Sequence, residues 1–161
     1  MPSFRSSRVV KHSPEQMFDL VADCEKYPEF LPFCVGMKAR PRGADADGNA
    51  IVLAEMEIGY MAVRQSFATR NIMDRKNLKI TVEYVEGPFS RLRNIWNFEP
   101  DPQGCRVEFY IDYEFRSRML AMLMGSMFDA IFRTFASAFE ARADKIYGAG
   151  GSRSPAPASG Q

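Results

Sequence analysis

The chain has 161 residues, 46% of them apolar and 25% charged, which is the size of one ordinary domain and the composition of a soluble globular protein. That argues against wholesale disorder, collagen-like repeats and a disulfide-scaffold miniprotein. A net charge of +1 leaves no global electrostatic footprint for nucleic acid or an anionic membrane, and no DNA partner is expected. Cys24, Cys34 and Cys105 are odd in number and form no C-x-x-C, which fits a reduced compartment. His12 is the only histidine, so no metal site is expected. The first residues carry no apolar signal core, and no run approaches the roughly 18 apolar residues of a membrane span. A cytoplasmic location is the expectation.

Residues 4–11 read as a first strand. Ser13-Pro14-Glu15-Gln16 then signals a helix start, with Ser13 as N-cap, Pro14 at the first helical position and Gln16 completing a capping box. Met17, Leu20 and Val21 give this short helix an apolar face that ends near Cys24. The segment Tyr27-Pro28-Glu29-Phe30-Leu31-Pro32-Phe33-Cys34 is too proline-rich for a long helix and unusually apolar for a loop. Period-2 alternation marks strands at Val52, Ala54, Met56, Ile58, at Leu78, Ile80, Val82, Tyr84, at Leu92, Asn94, Trp96, Phe98, and most clearly at Val107, Phe109, Ile111, Tyr113, Phe115. Turn signals at Asp47-Gly48, 74–77, Gly87-Pro88 and 101–104 are spaced too tightly for crossover helices, so the strands form an antiparallel meander.

One long helix, about 117–147, ends the ordered chain. At a helical period, Leu120, Met124, Met127, Phe128, Ile131, Phe135, Phe139 and Ile146 fall on one stripe, with Asp129, Arg133, Glu140 and Asp144 opposite. About thirty residues span roughly 45 Å, enough to cross a whole sheet. Residues 1–147 therefore form a single α+β domain: a first strand, two short helices, about six more antiparallel strands, and a long helix gripped by the curved sheet. The Gly-, Ser-, Pro- and Ala-rich residues 148–161 cannot bury enough apolar surface to offset their ordering entropy and read as a disordered tail.

Catalytic chemistry is hard to find. There is no G-x-S-x-G motif and no Gly-rich phosphate loop, and His12 reads as a surface or capping residue. Glu55, Glu57, Glu108, Asp112 and Glu114 alternate with apolar residues and should face solvent. No catalytic residue is assigned, and a non-enzyme is expected. A sheet curled round a helix does leave space between them. Its expected lining is Trp96, Phe98, Phe109, Ile111 and Tyr113 with Met124, Met127, Phe128, Ile131 and Phe135 of the helix; an ordinary core with methionine as filler is the alternative. Met119, Met122 and Leu123 lie outside the helix stripe. They mark a partner or membrane contact, or else the 27–33 segment covers them. Arg64, Arg70, Arg75, Lys76, Arg91 and Arg93 form either solvated strand faces or a patch for RNA or phospholipid headgroups.

Three segments together carry a resemblance: Tyr27-Pro28-x-Phe30-Leu31-Pro32-x-Cys34; Val85-Glu86-Gly87-Pro88-Phe89 with Leu92 and Trp96-x-Phe98; and Val107-x-Phe109-x-Ile111-x-Tyr113-Glu114-Phe115 leading into a helix with Ala138-Phe139-Glu140-x-Arg142-Ala143. The chain resembles the coenzyme Q-binding and ribosome-association toxin branch of the START-like, polyketide cyclase/dehydrase superfamily. The resemblance implies a helix-grip fold with a deep apolar cavity and a non-enzymatic role. It implies ubiquinone or a related polyprenyl lipid as bound ligand, in support of respiratory electron transport at the inner membrane. It also implies the alternative of a toxin-like module on the large ribosomal subunit that inhibits translation; an aromatase-like enzyme is remote. In that fold Phe30, Leu31 and Phe33 belong to the cavity mouth, nearest to Met119, Met122 and Leu123. Asn94, Tyr113 and Tyr84 are the candidate polar partners of a quinone ring.

Overall fold

The computed structural model describes residues 3–148. The 149–161 part of the expected tail lies outside the described residues. Seven strands, β1 (Ser3–Val10), β2 (Cys34–Ala44), β3 (Ala50–Tyr60), β4 (Val63–Asp74), β5 (Lys79–Glu86), β6 (Phe89–Asp101) and β7 (Gly104–Phe115), form one antiparallel sheet. Its order is β1-β7-β6-β5-β4-β3-β2, a meander from β2 to β7 closed by the first strand against the last. The register shifts at Cys34/Gly36, Pro41/Ala44, Ala68/Thr69 and Phe89/Arg91 are ladder irregularities of the kind that bend a strand and let a sheet curl.

Between β1 and β2 the chain forms α1 (Pro14–Ala22) and a 3-10 helix (Cys24–Glu29). The capping box is present: Ser13 Oγ accepts from the Gln16 amide at 3.0 Å, and Gln16 Oε1 accepts from the Ser13 amide at 2.9 Å. The long helix α2 (Arg118–Tyr147) starts on a Ser117 cap. It runs antiparallel to β7 and packs ring on ring against it: Phe128 lies 5.8 Å from Phe115, Phe132 5.1 Å from Tyr113, and Phe135 5.9 Å from Phe109. By length and composition α2 could cross a membrane, but its buried stripe faces the sheet, so it is the core helix of the domain. This is the helix grip that the resemblance implies.

Two details of the stripe differ from expectation. Ile146 is half exposed, because over the last turns the contact face rotates to Ala143, which is fully buried, and Tyr147. Leu120 and Met127 are only partly buried, while Phe132 and Ala136 join the core. His12 is also not a surface residue. It is completely buried, with Nε2 2.7 Å from Asp144 Oδ1 and its ring 5.8 Å from Tyr147, so it ties the β1–α1 junction to the end of α2.

Gly87 explains the Gly-Pro motif. Its φ is +146°, and a Cβ there would stand 2.5 Å from Cβ of Phe67. Only glycine lets the β5–β6 turn close over that ring. Phe89, the next ring, then meets Phe67, Tyr84, Tyr113, Phe115 and Phe128 at 5.0–5.8 Å.

Candidate ligand cavity

Between the inner face of the sheet and the middle of α2 lies a cavity of about 50 Å³. The sheet contributes Met56, Phe67, Leu92, Trp96 and Ile111; α2 contributes Phe132, Phe135 and Phe139; Val21 and Tyr27 close one side. Three polar residues interrupt this apolar wall. Thr69, Asn71 and Asn94 are all buried, and with His12 they are the buried polar residues of the described chain. Their placement follows from register: Asn71 pairs with Val82 and Val82 with Asn94, so the two amides lie in one row across β4, β5 and β6.

A local network holds them. Thr69 Oγ1 donates to Asn71 Oδ1 at 2.8 Å, and Asn71 Nδ2 donates to Cys24 Sγ at 3.5 Å. Trp96 Nε1 donates to Asn94 Oδ1 at 3.0 Å, and Asn94 Nδ2 donates to the Tyr110 carbonyl at 2.8 Å. Each carboxamide carries two N–H donors, so each keeps capacity for one more acceptor. Among the described residues the lining holds no carboxylate, histidine, lysine or arginine. Its one ionisable group, Tyr27, donates to the Val21 carbonyl, and burial holds its hydroxyl well above the usual tyrosine range. The wall can recognise a ligand but offers no acid–base pair.

Of the residues expected at the site, Trp96, Ile111 and Phe135 line the cavity. Phe98, Phe109, Tyr113, Met124, Phe128 and Ile131 are buried core residues beside it, and Met127 is partly buried at the core edge. Leu31 is buried; Phe30 packs 5.1 Å from Phe139 with the Arg142 guanidinium 5.0 Å over its ring. The 27–33 segment thus straps the C-terminal half of α2 and does not cover Met119, Met122 and Leu123, which are exposed. Only Phe33, 5.2 Å from Tyr60, reaches the end of the sheet where α2 begins. Among the polar candidates Asn94 lines the cavity. Tyr84 instead accepts from the Phe89 amide at 3.0 Å, and burial pushes the Tyr113 hydroxyl up to about 12. Thr69 and Asn71 escaped the sequence reading. The signal was there: in Phe67-x-Thr69-x-Asn71-x-Met73, two polar residues occupy the apolar phase of a strand.

The basic residues are largely spoken for. Arg64 meets Glu57 at 3.2 Å, Arg70 meets Glu83 at 2.7 Å, Arg75 meets Asp19 at 2.7 Å and Arg91 meets Asp112 at 2.9 Å. Three of these pairs, Arg64–Glu57, Arg70–Glu83 and Arg91–Asp112, join neighbouring strands of the sheet.

The model of the family described as polyketide cyclase/dehydrase and lipid transport matches residues 10–140. The chain is 32% identical over 150 residues to the ribosome association toxin RatA of Escherichia coli, covering 92% of this chain and 91% of that one. It is 28% identical over 151 residues to the mitochondrial coenzyme Q-binding protein COQ10 homolog B of Xenopus laevis, covering 90% of this chain and 59% of that one. Among solved structures, an 18 kDa protein of Caulobacter crescentus is 35% identical with a TM-score of 0.74, covering 92% and 100%. The Zhui aromatase/cyclase of Streptomyces has a TM-score of 0.76 at 11% identity, covering 94% and 99%, a likeness of fold alone.

Proposed function

The chain belongs to the polyketide cyclase/dehydrase and lipid transport family, and from that premise we propose that its cavity binds ubiquinone or a related polyprenyl lipid without transforming it. The observation that carries this reading is the row of Asn71 and Asn94 in an otherwise apolar wall, each with an N–H to give to a ring carbonyl. A quinone offers such acceptors and an isoprenoid tail that gains about 25 cal/mol per Å² of apolar area buried. At about 50 Å³ the cavity is smaller than the roughly 150 Å³ that holds a benzene ring, so entry requires the sheet and α2 to part. The location this reading implies is cytoplasmic, peripheral to the inner membrane, in support of respiratory electron transport.

Trp96 is the only tryptophan and lines the cavity, so its fluorescence reports occupancy. Titration with a short-chain ubiquinone should quench it, and Asn71→Leu should weaken binding about five- to tenfold, the value of one hydrogen bond. Unchanged fluorescence, together with no quinone in an organic extract of the purified protein, would overturn the reading.

The match to RatA along nearly the whole of both chains favours a second reading, association with the large ribosomal subunit and inhibition of translation. Phosphate contacts by Arg64, Arg70, Arg91 and Arg93 would make sedimentation with large subunits fall steeply with salt. Protein that stays at the top of a low-salt gradient would rule this reading out.

A further inference from the structure

In a meander, alternate strand ends share one edge. The starts of β2, β4 and β6 and the ends of β3, β5 and β7 therefore lie together, and α2 begins only three residues after β7. Nearly all the large apolar side chains exposed among the described residues collect at this end, with Ile146 alone at the other. The β3–β4 turn bears Tyr60, Met61 and Val63, and the first turns of α2 bear Met119, Met122 and Leu123; Met61 is 87% exposed and Met122 82%. Met61 lies in the turn itself, and Met119, Met122 and Leu123 lie in the first two turns of α2.

We propose that this end of the grip is a membrane-docking surface in which the β3–β4 turn and the first turns of α2 both enter the lipid interface. Three features favour a bilayer over a protein partner. Flexible methionines exposed at this end offer apolar area without fixed shape, which suits a fluid phase and not a complementary pocket. Arg116 and Arg118, exposed and without an ion pair among the described residues, flank Met119 where long basic side chains reach lipid phosphates. The surface also lies toward the cavity, whose lining residue Phe67 packs 5.6 Å from Phe89 and 6.1 Å from Phe128 near the start of α2. The proposal does not rest on which ligand the cavity holds.

The test is flotation of the full chain with vesicles of phosphatidylcholine, and of equal parts phosphatidylcholine and phosphatidylglycerol, without added quinone. Met61 has a φ of +54°, a conformation aspartate accepts well, so Met61→Asp combined with Met122→Asp should fold normally. The expected result is vesicle binding by the natural chain, lowered at least about tenfold in the double variant and unchanged in Ile146→Asp. Arg116→Gln with Arg118→Gln, which leaves the apolar residues intact, should remove any preference for the anionic vesicles. Absence of vesicle binding, equal loss in Ile146→Asp, or a solution dimer that the double variant splits would overturn the proposal.

Discussion

The two ends of α2 are held by different forces. Toward the C-terminus, Glu140 meets Arg8 at 2.7 Å, Arg142 meets Glu29 at 2.7 Å and Asp144 meets the buried His12 ring at 2.7 Å, while Phe139 sits among Tyr27, Phe30, Trp96 and Phe135. From Arg118 to Leu123 no ion pair holds the helix among the described residues, and its first firmly buried anchors are Met124 and Phe128. Exposed pairs contribute little individually, but the three ties reach back to β1, the β1–α1 junction and the 3-10 helix, far apart in sequence. The tied end is the scaffold that fixes the cavity wall, and the other end is held by apolar packing alone, through Met124 and Phe128.

The largest expected effect tests the tied end. Phe139→Ala removes a fully enclosed ring at the meeting of α2, β6 and the 3-10 helix, and should cost about 3–5 kcal/mol in chemical denaturation. A loss below about 1 kcal/mol would mean this end is no better anchored than the other. Next come two changes of about 1–3 kcal/mol. His12→Ala leaves Asp144 without its buried partner, and Gly87→Ala forces a Cβ against Phe67 at a φ unsuited to alanine. They should differ in where they act. Hydrogen exchange should quicken in the last turns of α2 for His12→Ala, and in β4 and the β5–β6 turn for Gly87→Ala.

Alkaline pH should separate the ends more gently. Burial pushes the Cys34 thiol, at the other end, up to about 11, and the Cys105 thiol, at the tied end, up to about 12, from 9.0. The fold holds the neutral thiols, so their contribution is complete below about pH 9 and is lost as pH rises through the folded values. Melting temperature should be flat up to pH 9 and then fall, and Cys34→Ala should make the fall between pH 9 and about 11 shallower while leaving the Cys105 part in place. The smallest effect belongs to the exposed helix start: Met122→Ser should change stability by no more than about 0.5 kcal/mol. A large loss there would show that this helix start is core.

Much of this architecture is legible in the chain. The Ser13 capping box, the four turn signals and the alternation of β6 and β7 are local properties, set by backbone sterics and by which side chains share a face. The phase of Met119, Met122 and Leu123 already separates them from the stripe. The cavity lining was less accessible, because Phe98 and Phe109 share a phase with Trp96 and Ile111 and only sheet curvature decides which of them faces the space. Nor could phase alone reveal that Phe30 lies against Phe139, more than a hundred residues away.

The order of strands and helices, the faces of β6 and β7 and the apolar stripe of α2 are local properties of the chain, since they follow from periods of 2 and 3.6 and from turn residues acting over a few positions. Tertiary structure alone decided the buried His12–Asp144 tie, the Asn71–Asn94 row and the gathering of exposed apolar side chains at one end. Each depends on register between strands or on the crossing of α2. Those are fixed by packing the whole core at once, and a local stretch of chain carries no record of which distant residue it will meet.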